Sequence, residues 1–473
     1  MNTFNWIDIV TSIFFIYGCL LFGSYLLNAV LSLSEFRRYS VKNKYVDYKT
    51  MLSFEKIPTV SVIAPAFNEG KSIVESVKCL NSLSYPDYDL IIVNDGSTDD
   101  TLKKLIESFN LIESAQAIDT QLHTESIRNV YYSRNPVYSH LTVIDKENGG
   151  KADALNAAIN VSNKDLFLAI DVDCLLEPDA IERMVKPFIE DRKYEVIAAG
   201  GVIRVVNSCN IENGKVTEVK YPKNFWAKFQ VLEYFRAFTL GRMAWSKING
   251  LLIISGAFGL FDRNRVINVG GYDRNTVGED LELVVRLRRY MHEVEKKKYR
   301  VAFIPDPLCW TEVPENFNNL FRQRNRWTRG AIDTILKHRK MFLNPKYKLI
   351  GLLSFPNWVL FEWLGPIIQF VGLLYFIFLA IFGAVDYKIF ITLLIFVFTF
   401  SLMYSLFAIF FEIYTFNKYK GSGFFFQSVL VIILEMFIYQ PLNMIFSLSG
   451  HLDYYFKRKT HKVWGKMERV GFH

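Results

Sequence analysis

The chain has 473 residues and a formal net charge of +8, and 51% of its residues are hydrophobic and 16% aromatic, with 41 Phe. That apolar load is high for a soluble enzyme and indicates membrane segments, beside which the positive balance reads first as cytoplasmic-loop lysines and arginines. The charge is spread along the chain, which excludes a nucleic-acid-binding module, and the five scattered cysteines form neither a C-x-x-C pair nor a zinc-spaced cluster.

Trp6 to Leu33 is apolar and long enough to cross the ~30 Å hydrocarbon core as a helix. Arg37, Arg38, Lys42 and Lys44 follow it, so residues 1–35 are expected to anchor the chain with its amino terminus outside. A cleaved signal would carry its positive charge before the apolar run. Residues 55–340 have the texture of a cytoplasmic α/β domain. Strands are predicted at Thr59–Phe67, Asp89–Asp95, Leu141–Lys146, Asp165–Asp173 and Glu195–Val206, with helical returns between the first four, such as SIVESVKCLNSL and DALNAAINV. That alternation implies a parallel sheet with its ligand at the carboxyl ends of the strands. Asn213-Gly214 reads as a hairpin tip in the 207–224 insertion, whose role is not legible. An interfacial stretch is expected over 341–365. A membrane region follows over 366–450, with spans near Ile367–Val385, Ile389–Phe411 and Phe424–Leu448, and then a basic tail over 451–473. Keeping that tail on the same side as the α/β domain requires an even number of passes. The last apolar segment, interrupted by Glu435, Gln440 and Pro441, is therefore expected to be re-entrant or interfacial.

Five motifs carry chemistry. PAFNEG places Asn68 and Glu69 at the end of the first strand. Beside it VNDGSTDDT places Asp95 where it can accept from a base or ribose, although Ser97, Thr98 and Asp99 would equally make an ordinary capped turn. NGGKADALNAA sets two glycines and Lys151 at a helix start, where backbone donors and an ammonium suit a diphosphate; it lacks the P-loop spacing, and a solvated lysine is the plain alternative. LFLAIDVDCLLEP ends a strand on Asp171 and Asp173, which alternate to one face. Such a pair holds a divalent cation, or else marks a turn capped by Asp173. Cys174 beside them reads as a packing residue. GGYDRNTVGEDLELVVRLRR puts Glu279 and Asp280 at a helix start, where the dipole alone favours carboxylates. There a carboxylate can also take a proton from an attacking hydroxyl. FRQRNRWTRG contains Q-x-x-R-W: Gln323, Arg326 for phosphate, and the Trp327 indole as a sugar platform. Its arginines, including Arg322, Arg324 and Arg329, would otherwise make a membrane-facing basic helix.

In this order and beside membrane spans, the motifs resemble those of the membrane-bound processive family-2 glycosyltransferases, the synthases of cellulose, chitin, hyaluronan and bacterial poly-N-acetylglucosamine. The resemblance implies a GT-A nucleotide-sugar-binding domain inserted between the transmembrane helices of an integral membrane protein. It also implies a UDP-sugar donor, Mg2+ or Mn2+, and inversion at the anomeric carbon. Carried over, Asp95 would hold uridine, Asn68 and Glu69 would border its pocket, and Lys151 and Arg326 would meet the diphosphate. Asp171 and Asp173 would line the donor and metal site. Asp280 would be the base, with Glu279, Gln323 and Trp327 on the acceptor side. Trp464 and Arg469 in VWGKMERVGF look like a gating segment. The expected function is polymerisation of a β-linked polysaccharide, from UDP-N-acetylglucosamine ahead of UDP-glucose, with export through the chain's own helices. The expected partners are the growing glycan, membrane lipid, and accessory secretion or regulatory subunits. Transfer of one sugar to a lipid carrier, and a non-catalytic nucleotide-binding scaffold, are the alternative readings.

Overall fold

β1 (Val60–Ala66) lies at the centre of the sheet, and its apolar run VSVIAPA is buried on nearly every residue, as a strand covered on both faces must be. The computed structural model describes residues 6–43, 48, 57–114, 119–212, 214–383, 385–419 and 422–457, so Trp464 and Arg469 lie outside the described residues. β2 (Tyr88–Asp95) and β6 (Leu166–Ile170) flank β1 in parallel, with Val60 opposite Tyr88 on one side and Leu166 on the other. β5 (Leu141–Lys146) continues the parallel set beyond β2. Helices Ile73–Leu80, Thr101–Phe109 and Lys151–Val161 return the chain between these strands.

The expectation of a parallel sheet holds for this centre but not for the sheet as a whole, which is mixed. The full order is β3-β4-β5-β2-β1-β6-β11-β8-β12-β7, where β3 is Leu111–Ser114, β4 Ile127–Ser133, β7 Leu175–Leu176, β8 Glu195–Val205, β11 Phe258–Asp262 and β12 Tyr299–Thr311. β4 runs antiparallel to β5, and β11 antiparallel to both β6 and β8. The reversal at β11 follows from where the chain re-enters. A helical excursion from Phe225 to Lys247 leaves from the carboxyl end of β8, and Phe258 then pairs with Ile170 at the end of β6, so the next strand can only run back. β9 (Asn210–Glu212) and β10 (Lys215–Glu218) form the expected hairpin around Gly214; Asn213 lies outside the described residues.

The predicted strand Asp165–Asp173 is also shorter than expected. Pairing stops at Ile170, and the Cys174 N–H donates to the Asp171 carbonyl at 2.9 Å, closing a turn. Asp171 and Asp173 therefore share a turn rather than a strand face.

Among the described residues, three helices are long and apolar enough to cross a membrane: Ile7–Asn43, Phe390–Thr415 and Gly423–Phe456. A fourth crossing exists if Ile350–Trp363 and Gly365–Ile381, bent by 46°, count as one. That break falls at Leu364, between Trp363 and Gly365, and the last segment changes from α- to π-helix over Glu435–Tyr439, just before Gln440 and Pro441. Glu435 is tolerated there because Arg236 donates to both of its carboxylate oxygens and Gln440 donates a third bond. A second core joins the α/β domain to these helices through Phe229, Phe235 and Leu240 against Ile409, Ile432 and Tyr439. Beside it Arg204 of β8 pairs with Glu412 of the Tyr387–Thr415 helix, each side chain 1% exposed.

Candidate active site

The carboxyl ends of β1, β2 and β6 place three motifs side by side. Thr98 N–H donates to Asn68 Oδ1 at 2.8 Å and Gly70 N–H to Asp99 Oδ2 at 3.0 Å, so PAFNEG and VNDGSTDDT form one bonded unit. Asn68 adopts a left-handed φ of 58° and Glu69 N–H donates to Thr101. Asp95 is buried, and both carboxylate oxygens have internal partners. Lys146 Nζ and Gly149 N–H reach Oδ1 at 2.8 and 3.0 Å, and Gly150 N–H reaches Oδ2 at 2.8 Å. Asp95 therefore braces the Gly149-Gly150 turn. Gly150, at φ +85°, directs the chain into the helix that begins at Lys151.

Lys151 is the hub of the site. Its ammonium pairs with Asp171 and donates to the Gly256 carbonyl at 3.1 Å. The N–H of Gly256 donates to Asp280 Oδ2 at 2.9 Å, and the Leu281 N–H donates to Oδ1 at 2.8 Å. One glycine thus bridges the Lys151 turn and the Asp280 helix, Glu279–Tyr290. A Cβ there would lie 3.2 Å from both Asp280 Oδ2 and Lys151 Nζ. Burial alone would push the Lys151 ammonium down, but the charges of Asp171, Glu279 and Asp280 outweigh it and hold it above the usual lysine range. Burial pushes the Glu279 carboxyl up to about 7; Lys151 and Arg326 oppose the rise and Asp280 adds to it. Lys151, Asp171, Glu279, Asp280 and Arg326 are therefore one electrostatic cluster.

Asp171, Asp173 and Cys174 each present one ligand atom, all within 4.8 Å of one another. Two carboxylate oxygens suit a hard Mg2+ or Mn2+, which completes its shell with water and phosphate oxygens. The soft thiol of Cys174 does not suit those ions, and it sits buried in the core as a packing residue.

A cavity of about 1390 Å³ opens on Lys151, Asp171 and Asp280, and it continues to Tyr25, Phe400 and Tyr404 on the apolar helices. Gln323, Arg326 and Trp327, on helix Phe317–Lys337, line it between these ends. Trp327 is 41% exposed, and Gln323 Oε1 meets no hydrogen-bond donor among the described residues. Asn68, Glu69, Asp95 and Asp173 are not among the lining residues.

Sequence reasoning missed several contributors. Gly256 could have been sought in the small-residue run SGAFG. Arg242, on the π-helical Phe235–Arg242 segment, lines the cavity with its guanidinium 3.9 Å over the Phe238 ring, and nothing in the local sequence marks it. Arg324 is not membrane-facing: it is buried, donates to Glu233 at 2.5 and 2.8 Å and to Tyr439 at 2.9 Å, and stacks 4.3 Å from the Trp327 ring.

The family model described as glycosyltransferase like family 2 matches residues 58–330. The poly-beta-1,6-N-acetyl-D-glucosamine synthase of Staphylococcus aureus (strain COL) is 24% identical over 335 residues, 71% of this chain and 68% of its own. The synthase of the same name from Staphylococcus epidermidis is 23% identical over 320 residues, 68% of this chain and 66% of its own. The mannosyltransferase PcManGT from Pyrobaculum calidifontis, solved with GDP-Man and Mn2+, aligns with a TM-score of 0.52 at 17% identity, covering 92% of this chain and 100% of that one. The mixed sheet with its ligand-facing strand ends is a GT-A-like fold flanked by apolar helices, and the chain belongs to the glycosyltransferase-like family 2.

Proposed function

We propose that this protein is an inverting, processive glycosyltransferase that polymerises a β-linked hexosamine polysaccharide from UDP-N-acetylglucosamine and passes it across the membrane. One observation carries the reading: a single cavity is lined by Asp280 and Lys151, by Trp327, and by aromatic residues of the apolar helices. The relatives named as poly-N-acetylglucosamine synthases support the choice of sugar. The α/β domain is assigned to the cytoplasmic side, where the nucleotide-sugar is available, in keeping with the basic residues that follow the first helix.

In this reading Lys151 and Arg326 meet the donor diphosphate, and Asp171 and Asp173 hold a divalent cation. That cation supplies charge neutralisation for the leaving diphosphate. Asp280, held by the N–H groups of Gly256 and Leu281, keeps lone pairs open to accept the acceptor hydroxyl proton as the new glycosidic bond forms. Attack from the face opposite the departing UDP inverts the anomeric carbon. Trp327 gives the terminal sugar an apolar face, and Gln323 Oε1 offers it an acceptor.

The test is to incubate purified protein in nanodiscs with Mg2+ or Mn2+ and a panel of radiolabelled UDP-sugars, then size the product. A high-molecular-weight polymer from UDP-N-acetylglucosamine is expected. A single-sugar product that partitions into lipid would replace this reading with transfer to a lipid carrier.

A further inference from the structure

A second pocket, of about 470 Å³, lies away from the active site, where the cytoplasmic end of the first helix meets the α/β domain. Four separate elements line it: Arg38 and Lys42 on the first helix, Lys193 in the loop before β8, Lys247 at the end of the helix Met243–Lys247, and Arg300 at the start of β12. Lys186 stands just behind and shares Glu190 with Lys42. Five lining cations, Arg38, Lys42, Lys193, Lys247 and Arg300, face two lining carboxylates, Glu190 and Asp191, and Glu35, outside the lining, pairs with Arg38, Lys247 and Arg300. The ion pairs of the inner cations are loose: Lys247 to Glu35 at 3.5 Å, and Arg300 to Glu35 and Asp191 at 3.4 and 3.6 Å. Charge-assisted hydrogen bonds close to about 2.7–2.9 Å when they are optimised. Lys193 has no ion pair among the described residues; its ammonium lies 5.4 Å from the Tyr194 ring.

An independent observation comes from Ser246, which also lines the pocket. It is 1% exposed, and its hydroxyl has no hydrogen-bond partner among the described residues. A buried hydroxyl left this way carries an uncompensated desolvation cost unless something enters to bond it. Burial pushes the Lys186 ammonium below its ordinary range; Glu190 and Asp306 oppose the shift and Lys42 adds to it.

The depth of the pocket identifies the ligand. Arg38 follows Leu33 by five residues, or ~7.5 Å along a helix at 1.5 Å per residue. Leu33 packs against the α/β core, so Arg38 and, one turn further on, Lys42 stand where the first helix passes from its apolar stretch onto the domain, the level at which a bilayer's headgroups would lie. We infer that this pocket binds a phosphate-bearing anion, and that the anion is the headgroup of an anionic phospholipid. The headgroup draws the ammonium groups of Lys193 and Lys247 and the guanidinium of Arg300 inward, takes the Ser246 hydroxyl as donor, and seats the α/β domain against the bilayer.

The full chain in neutral detergent, given short-chain phosphatidylglycerol, phosphatidylcholine or inorganic phosphate at equal concentration, provides the test. Tm and the lipid retained in native mass spectrometry are the readouts. Phosphatidylglycerol is expected to raise Tm by several degrees and to remain bound, with phosphatidylcholine and inorganic phosphate doing neither. Lys193→Ala with Lys247→Ala should lose the shift, and Lys193→Arg with Lys247→Arg should keep it. A shift with inorganic phosphate equal to that with phosphatidylglycerol, and lost in the alanine variant, would overturn the headgroup assignment in favour of a soluble phosphate ligand. No difference between the two lipids, or a full shift in the alanine variant, would overturn the site. UDP-sugar turnover in the same samples separates this result from the active-site reading, since none of these residues lines the catalytic cavity.

Discussion

Gly278 and Gly330 are in backbone contact: a Cβ on Gly330 would lie 2.7 Å from the Gly278 Cα, and one on Gly278 would lie 2.8 Å from the Gly330 Cα. This contact seats the Q-x-x-R-W helix against the helix that begins at Glu279 and so sets the spacing between Trp327 and Asp280. Either glycine replaced by alanine should force the helices apart, with an overpacking cost of about 1–3 kcal/mol. Tm should fall and polymer yield should fall with it. A Gly330→Ala protein with unchanged Tm and turnover would show that the contact is not fixed.

Asp280→Asn keeps an oxygen for the Gly256 N–H but loses the base. Transfer is expected to drop by about 10²–10⁴-fold with little change in UDP affinity. Calorimetric titration with UDP beside product sizing measures both; a tenfold loss of UDP affinity would move Asp280 from the base role to donor binding.

Asp173→Asn removes one of the two carboxylates available to a cation. Turnover should be lost in the variant, and in the native protein on chelation, and restored to the native protein alone by added Mn2+. Full activity in excess chelator would rule out the metal role.

Glu279 supplies a pH signature. Its folded pKa is raised, so the neutral form is favoured by the fold, and the stability linked to it is present below the unfolded value of about 4.5 and lost as pH rises through about 7. The same ionisation adds a negative charge beside Asp280 and Asp171, so the KM for the donor should rise as pH passes 7. Glu279→Gln should remove that rise while keeping activity at pH 6. Initial rates across pH 5.5–8.5 decide it: a rise that persists in the variant assigns it to another group.

Arg324→Met should cost polymer length more than donor affinity, because Arg324 supports Trp327 from behind through Glu233 and Tyr439. Size-resolved product against UDP titration separates the two effects, and unchanged chain length would remove Arg324 from acceptor positioning.

Much of this site was legible because helix starts have local signatures. Gly-Gly before Lys151 and Gly before Glu279-Asp280 predicted helices beginning at those residues, and both begin there. β12 was not legible: Pro305 and Pro307 interrupt its pattern, and the structure absorbs them as register shifts around Pro307. The turn at Asp171 was hidden because Asp171-Val172-Asp173 keeps the polar–apolar alternation of a strand, so period alone could not end β6 at Ile170. The role of Arg324 was hidden because its partner Glu233 stands 91 residues earlier, and burial set by such distant pairing leaves no local trace.

The Arg204–Glu412 pair bears on where this protein can be cut. The family match ends at residue 330, yet one partner of the pair lies within that region and the other far beyond it. Removing one side of a buried pair costs about 3–5 kcal/mol. A fragment ending near residue 340 would bear that loss and expose the apolar face around Phe229 and Phe235 as well. The segment that the family model matches is therefore smaller than the unit these contacts hold together, and the catalytic half should melt together with its membrane helices in a single transition.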